Sequence, residues 1–294
     1  MSVHGVSTRG LVKRFGEVLA LDHVDLDVPS GSVYGLVGPN GAGKTTLLGI
    51  LSGLVKPSDG DIDVGPQSIG VLPDTPKFDR WLTGYEVVDL ARTLTAEGAR
   101  PVSVDDVLEV VGLGDTAHRR VRGYSRGMLQ RLGLAAAVVS RPDLLLLDEP
   151  AAALDPAGRR EVLDLVKELS GSSTVVFSSH ILDDVAEVCD VIGILRRGQI
   201  VYQGSLDGLL ERYRSNRYVV RVRHEGDRVA QAIVSEPWVS ATASGPDGVV
   251  LVTVTDLEDA ERHLIGALAK IDVPVVSVNP AATSLEEIFL EVTR

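Results

Sequence analysis

The stretch Gly38-Pro39-Asn40-Gly41-Ala42-Gly43-Lys44-Thr45 decides the fold. It fits the spacing G-x-x-x-x-G-K-[ST]. The run before it, Ser32 to Val37, is apolar and of strand length, and Thr46 to Leu51 after it reads as an apolar helix start. A strand, a glycine loop and a helix in that order make a phosphate-binding turn. The glycines let the backbone curl until several N–H groups point inward at phosphate oxygens. The helix N-terminus adds a favourable dipole, worth about 0.3–1 kcal/mol for an exposed anion. Lys44 would reach the β and γ phosphates, and the Thr45 hydroxyl would ligate Mg²⁺.

Outward from this turn, residues Leu11 to Val28 alternate apolar and polar positions, as antiparallel strands with one buried face do. Phe15 sits at the turn between two such runs, where it either stacks on a purine ring or closes a strand end. Lys56-Pro57-Ser58-Asp59-Gly60 reads as a turn, followed by short strands at Asp61 to Val64 and Ile69 to Leu72. From Phe78 to Ser140 the period becomes helical, with amphipathic spacing at Tyr85 to Ala91 and Val104 to Val111. Leu113-Gly114-Asp115 is expected to end a helix, and Ser125 to cap the next. A helical insert therefore interrupts an α/β core.

Leu144-Leu145-Leu146-Leu147-Asp148-Glu149 suits a central parallel strand buried on both faces. Two carboxylates at its end are costly to bury and point to a site. Ala153-Leu154-Asp155-Pro156 opens a helix running to about Leu169. A second buried strand, Thr174 to Ser179, delivers His180. His4, His23, His118, His224 and His263 stand in no constellation and read as surface residues.

The basic segment Glu211 to Arg217 reads as a linker, 211–217, between a domain at 1–210 and a smaller one at 218–294. The second half has the order β-α-β-β-α-β, a split βαβ arrangement. A last helix begins near Ser284, with Glu287 at capping-box spacing. No catalytic constellation is visible there, and the module reads as a structural or dimer-supporting cap. The chain carries a formal net charge of −12, which argues against a general nucleic-acid partner. Its one cysteine, Cys189, excludes an internal disulfide, fits a reducing compartment and reads as a packing residue. No apolar run approaches the roughly 20 residues of a membrane span, so work at a membrane would need a separate partner.

The order of these motifs resembles the ATP-binding subunits of ABC transporters, over residues 1 to about 210. Gly38 to Thr45 is similar to the Walker A loop, with Thr46 beside it, and Leu144 to Asp148 to Walker B. Glu149 stands at the position of the family's general base, Ala153 to Asp155 at the D-loop, and His180 at the H-loop histidine. Phe15 falls where the family places its adenine-stacking aromatic. Tyr124-Ser125-Arg126-Gly127-Met128 falls at the signature motif, in a version similar to that of drug, antibiotic and lipid exporters. Asp74 replaces the usual Q-loop Gln, and an Asp there can ligate Mg²⁺ or orient water. The loop between Val64 and Ile69 is short for the family, and the C-terminal module resembles tails of the same exporter branch.

The resemblance implies a P-loop NTPase core, a mixed sheet with an antiparallel β subdomain and a helical insert at about 75–140. A small ferredoxin-like α+β domain follows. It implies an ATPase using ATP and Mg²⁺, the metal held by Thr45, Asp74 and Asp148. It implies a homodimer, or a paired ATPase subunit, in which Ser125 and Gly127 of one copy meet ATP held by the other and Asp155 links the sites. The helical insert near Phe78, Trp81 and Tyr85 would pass motion to an integral-membrane permease on the cytoplasmic face. The competing expectation is a soluble switch of the same superfamily acting on ribosomes or DNA. A GTP-binding switch lacks its Asn-Lys-x-Asp motif.

Overall fold

The computed structural model describes residues 4–65, 68–94, 102–213, 215–281, 285, 288, 289 and 292. The chain divides into two compact units, Met1–Leu209 with Val292–Arg294, and Leu210–Glu291.

In the first unit, six strands form the main sheet in the order β5-β6-β7-β3-β8-β9. These are β3 (Val33–Val37), β5 (Ile69–Leu72), β6 (Leu144–Asp148), β7 (Thr174–Ser179), β8 (Val191–Arg196) and β9 (Gln199–Gly204). All neighbours pair in parallel except β8 and β9, which form an antiparallel hairpin through Arg197 and Gly198. Every residue of β3, β6 and β7 is buried. That accounts for their unbroken apolar sequences, since helices cover both faces of such strands. The register sets Asp148 beside Ser178, and Leu36 beside that same Ser178. The C-terminal ends of β3, β6 and β7 therefore open at one edge, where ligands bind to open α/β sheets.

A second, antiparallel sheet has the order β2-β1-β4, from β1 (His4–Phe15), β2 (Val18–Pro29) and β4 (Asp59–Asp63). The apolar residues of β1 and β2, including Leu11, Leu21, Val24 and Leu26, join one core with Leu47, Leu51 and Leu146. The expected turn at 56–60 is shorter than the sequence indicated, because Asp59 and Gly60 already pair as β4.

Helix α1 (Lys44–Leu51) follows the glycine loop. The insert contains α2 (Gly84–Thr93), α3 (Val104–Val110) and α4 (Arg126–Val138). Each begins on a hydroxyl cap. Thr83 and Glu86 form a reciprocal capping box, Ser103 accepts from Asp106 N, and Ser125 accepts from Met128 N at 3.2 Å. Helix α3 ends earlier than expected. Gly112 is left-handed, with φ 72°, and Leu113 N reaches Leu108 O at 2.7 Å while Gly112 N reaches Glu109 O at 2.9 Å. This paired closure satisfies the last carbonyls and stops the helix, so Gly114 falls in a separate 3₁₀ turn. Helices α5 (Pro156–Leu169) and α6 (Leu182–Val188) complete the unit, and the division from the second unit falls within α7 (Leu206–Arg212). Glu211 and Arg212, read as linker, finish α7, and Arg217 opens the next strand. Cys189 follows α6, and burial pushes its thiol above the ordinary range. A Cβ on Gly35 would lie 2.7 Å from its Sγ, which places the sulfur in packing.

The second unit contains β10 (Arg217–Val222), α8 (Gly226–Ile233), β11 (Val239–Ser244), β12 (Val249–Val254), α9 (Leu257–Ala269) and β13 (Val275–Pro280). The sheet order is β11-β12-β10-β13, antiparallel throughout, a ferredoxin-like arrangement. Its own core gathers Tyr218, Val220, Val229, Ile233, Trp238, Val250, Val252 and Leu264. Ser284, Glu286, Glu287 and Leu290 of the expected last helix lie outside the described residues, while Leu285, Ile288 and Phe289 are helical.

Leu146 is fully buried at the centre of β6. Leu146→Ala is expected to destabilise the chain by about 2–5 kcal/mol. Urea unfolding measures this, and a loss under about 1 kcal/mol would contradict the packing described.

Candidate active site

Three loops leave the sheet side by side and build the site. The first is the glycine loop after β3. Gly38 is buried against the next strand, where a Cβ would lie 2.4 Å from Leu195 O. Gly41 and Gly43 have φ of 80° and 112°, values that favour glycine. The loop is tied down by Ala42 N to Pro39 O at 3.1 Å and by Gly198 N to Ala42 O at 2.9 Å. No side chain caps the N-terminus of α1. Its free N–H groups are therefore available to an anion.

Lys44 is 7% exposed. Its Nζ donates to Gly38 O at 2.7 Å and lies 3.3 Å from Glu149 Oε1. Glu149 Oε2 lies 2.8 Å from His180 Nδ1. Glu149 thus joins the first residue of α1 to the residue after β7. Its backbone is left-handed, with φ 49°. A non-glycine residue held there carries strain that its surroundings must impose. The constraint is visible: Glu149 N donates to Ser178 Oγ at 2.9 Å, and Gln130 Nε2 donates to Glu149 O at 3.3 Å. The Ser178 hydroxyl in turn donates to Asp148 Oδ1 at 2.5 Å. One serine on β7 therefore fixes Asp148, the last residue of β6, and Glu149, the residue after it. Asp148 is 4% exposed, so this partner offsets a large desolvation cost.

Around these groups is a cavity of about 610 Å³. Its walls include Asn40, Gly41, Ala42, Gly43, Lys44, Thr45, Thr46, Asp74, Asp148, Glu149 and His180, all named from sequence. Val18, Leu19, Ala20, Arg126 and Ala152 also line it and had not been assigned there. Gly38 and Pro39 are not in the wall. Gly38 acts through the carbonyl that receives Lys44, and Pro39 through its hold on Ala42. Phe15 is outside the wall as well, half-exposed, three residues from Val18, with Lys13 Nζ 4.6 Å from its ring centre. Ser125, Gly127 and Asp155 do not reach the cavity either. Ser125 caps α4, and Asp155 caps α5 by accepting from Gly158 N at 3.2 Å. Ser178 and Gln130 were missed in the sequence. The only local signal for Ser178 was a hydroxyl inside an apolar strand.

The chain is similar to known proteins over its whole length. The ABC transporter family profile matches residues 21–152, and the profile "ATP-binding protein DrrA1-3-like, C-terminal domain" matches 204–293. The chain is 35% identical to the ABC transporter ATP-binding protein YxlF of Bacillus subtilis, over 98% of this chain and 99% of that one. It is 34% identical to the daunorubicin resistance ATP-binding protein DrrA3 of Streptomyces coeruleorubidus, over 100% and 97%. It is 31% identical to the bacitracin transport ATP-binding protein BcrA of Enterococcus faecalis, over 97% and 94%. A solved ATP-binding subunit of an ABC transporter superposes with a TM-score of 0.65 at 26% identity, covering 71% of this chain and 92% of that one. A dimeric bacterial ABC transporter cassette superposes with a TM-score of 0.63 at 25% identity, covering 68% and 98%. None of these relatives supports the expectation of a ribosome- or DNA-acting switch. The phosphate loop, the paired acids and the end-to-end likeness to these subunits together make this chain a member of the ABC transporter ATP-binding family, an ATPase.

Proposed function

We propose that Glu149 is the base that activates water for ATP hydrolysis, and that its capture between Lys44 and His180 is the resting arrangement of the site. The single observation carrying this is the Lys44–Glu149–His180 chain, at 3.3 and 2.8 Å, above the buried Asp148. A triphosphate would compete with Glu149 for the charge of Lys44. When the β and γ phosphates draw Lys44 Nζ toward them, Glu149 Oε1 becomes free to accept from a water. His180 Nδ1 keeps the other oxygen in place. The water oxygen then bonds to the γ phosphorus, the bond from that phosphorus to the β-bridging oxygen breaks, and Glu149 receives the water proton. Phe15 offers an exposed ring face to the adenine, and Asn40 to Thr46 surround the phosphates.

The donor set also suits Mg²⁺. Asp148, Thr45 and Asp74 offer carboxylate and hydroxyl oxygens, the hard ligands this ion takes. Among the described residues no trio of His, Cys, Asp or Glu forms a metal cage. Mg²⁺ ordinarily keeps few protein ligands and shares the rest with substrate phosphates. Bound there, Mg²⁺ would offset phosphate charge. Ser178 keeps Asp148 facing the cavity.

In this reading two copies close over two ATP molecules. Ser125 and Gly127 stand at the start of α4 and outside their own cavity, free to meet the γ phosphate held by a second copy. The insert exposes Trp81, Leu90, Leu94 and Val110, an apolar set suited to a separate integral-membrane permease. Phe78 and Tyr85 are half-buried, and Tyr85 stacks on His118 at 5.5 Å, so Trp81 is the one of the three aromatics that faces outward. Among the described residues no helix is long and apolar enough to cross a membrane. The protein would then sit on the cytoplasmic face of the membrane through that permease. The cargo in this reading is a drug, antibiotic or lipid moved outward, and the relatives named for daunorubicin resistance and bacitracin transport support the first two.

Glu149→Gln is expected to slow hydrolysis about 10³-fold or more, roughly 4 kcal/mol of barrier. ATP binding should survive, so the variant should accumulate as an ATP-dependent dimer in light scattering. Normal turnover would remove Glu149 from this role. Lys44→Ala should lose ATP affinity in a calorimetric titration, and unchanged affinity would overturn the phosphate-loop assignment. Ser178→Ala should lower kcat about tenfold, equivalent to about 1.4 kcal/mol of barrier. It should also cost about 1–3 kcal/mol of stability, because Asp148 loses its buried donor. Wild-type values in both measurements would show that Ser178 does not position the two acids.

A further inference from the structure

One ion pair in the first unit, with its carboxylate buried and its guanidinium partly exposed, belongs to none of the groups discussed so far. Arg159 lies in the first turn of α5 and grips Asp184 in the first turn of α6. Its Nε donates to Asp184 Oδ1 at 2.5 Å, and its Nη2 engages the same oxygen. Asp184 is 5% exposed, and burial raises its carboxyl pKa, against the opposing effect of Arg159. Its second oxygen, Oδ2, lies 3.5 Å from Ser179 Oγ. Ser179 is the residue before His180. The same hydroxyl accepts from Ile181 N at 3.0 Å and lies 3.1 Å from Ile181 O. Its one proton goes to Ile181 O or to Asp184 Oδ2, so it ties the residues on either side of His180 to each other through the Ile181 amide and can also reach Asp184.

A pair with its carboxylate buried adds little net stability compared with apolar side chains of the same volume, whereas leaving that carboxylate without its partner is costly. What the pair supplies is a fixed distance between two helices. Asp155 caps α5, and α6 begins after His180 and its own cap, Ile181. The strut thus runs from the first turn of α5 to the segment that aims the imidazole at Glu149.

We propose that Arg159 and Asp184 are positioning residues for ATP hydrolysis, holding the Ser179–Ile181 segment so that His180 stays against Glu149. The proposal rests on the reading of Glu149 and His180 given above. It predicts a loss of turnover with little loss of nucleotide binding.

The experiment uses the full chain with Mg²⁺ and ATP. Arg159→Gln, Asp184→Asn and the double variant Arg159→Met with Asp184→Leu are compared with wild type and with His180→Ala. Each single variant should lower kcat about tenfold or more, with KM and the affinity for a non-hydrolysable ATP analogue changed less than about twofold. Both should also melt at lower temperature. The double variant should recover the melting temperature without recovering kcat. The His180 imidazole NMR signal, assigned by its loss in His180→Ala, should shift in Arg159→Gln. Wild-type kcat in folded single variants, or kcat that returns with the melting temperature in the double variant, would overturn the proposal. If the single variants fail to fold, the double variant carries the test alone. Normal hydrolysis by His180→Ala would instead overturn the site reading. Impairment of His180→Ala with all the others active would remove only the strut.

Discussion

Two adjacent carboxylates end an apolar strand that is buried on both faces, and everything at this site follows from the need to give them partners. An unpaired buried carboxylate is too costly to keep charged. Asp148 meets this with the Ser178 hydroxyl, and Glu149 with Lys44 and His180. Those partners come from the starts or ends of three different elements, α1, β7 and the turn after β7. They coincide only because β6, β7 and β3 lie next to one another in parallel register. The main sheet is thus the jig that brings chemically unlike groups to one edge. Its apolar interior keeps that edge from shifting, since close-packed cores yield little.

Glycine has a complementary role on the opposite wall. The loop before α1 must approach β2, β8 and a ligand at the same time. Gly43 sits where a Cβ would be 2.7 Å from Ala20 O, and Gly38 where one would be 2.4 Å from Leu195 O. These contacts, together with Gly198 N on Ala42 O, pin a loop that has no side-chain cap of its own. The N–H groups at the start of α1 remain available, and Lys44 is folded back over the loop onto Gly38 O.

Much of this was legible in the sequence, for identifiable reasons. The glycine loop, the four leucines of β6 and the apolar run of β7 are local patterns, and local patterns survive the absence of coordinates. The ferredoxin-like order of the second unit was readable because its periods switch cleanly between two and 3.6 residues. Ser178 and Gln130 were not legible. They act on residues 29 and 19 positions away, through a register and a helix packing that the chain does not announce locally. Arg126 was readable as part of a motif but not as part of the cavity wall, which depends on how α4 lies against β5. The end of α3 was misplaced because Gly112 and Gly114 are both plausible stops. The hydrogen bonds from Leu113 and Gly112 back into the helix decide for Gly112.

The left-handed backbone at Glu149 ties these strands together. Strain at a non-glycine residue persists only where the surroundings determine it more than once. Here Ser178 holds the amide, Gln130 the carbonyl, and Lys44 and His180 the two carboxylate oxygens. Three of those four lie on β7, on α1 or just after β7, and the fourth lies on α4, the helix that begins at Ser125. A shift of α4 would therefore be felt at the backbone of Glu149 through Gln130, without any charge moving. A phosphate arriving at Lys44 would be felt at its side chain. The same residue is thus exposed to two independent inputs, one from the helical insert and one from the nucleotide. In the role proposed for it, Glu149 would take its working geometry where both inputs agree, and coupling hydrolysis to a mechanical event elsewhere requires such a meeting point.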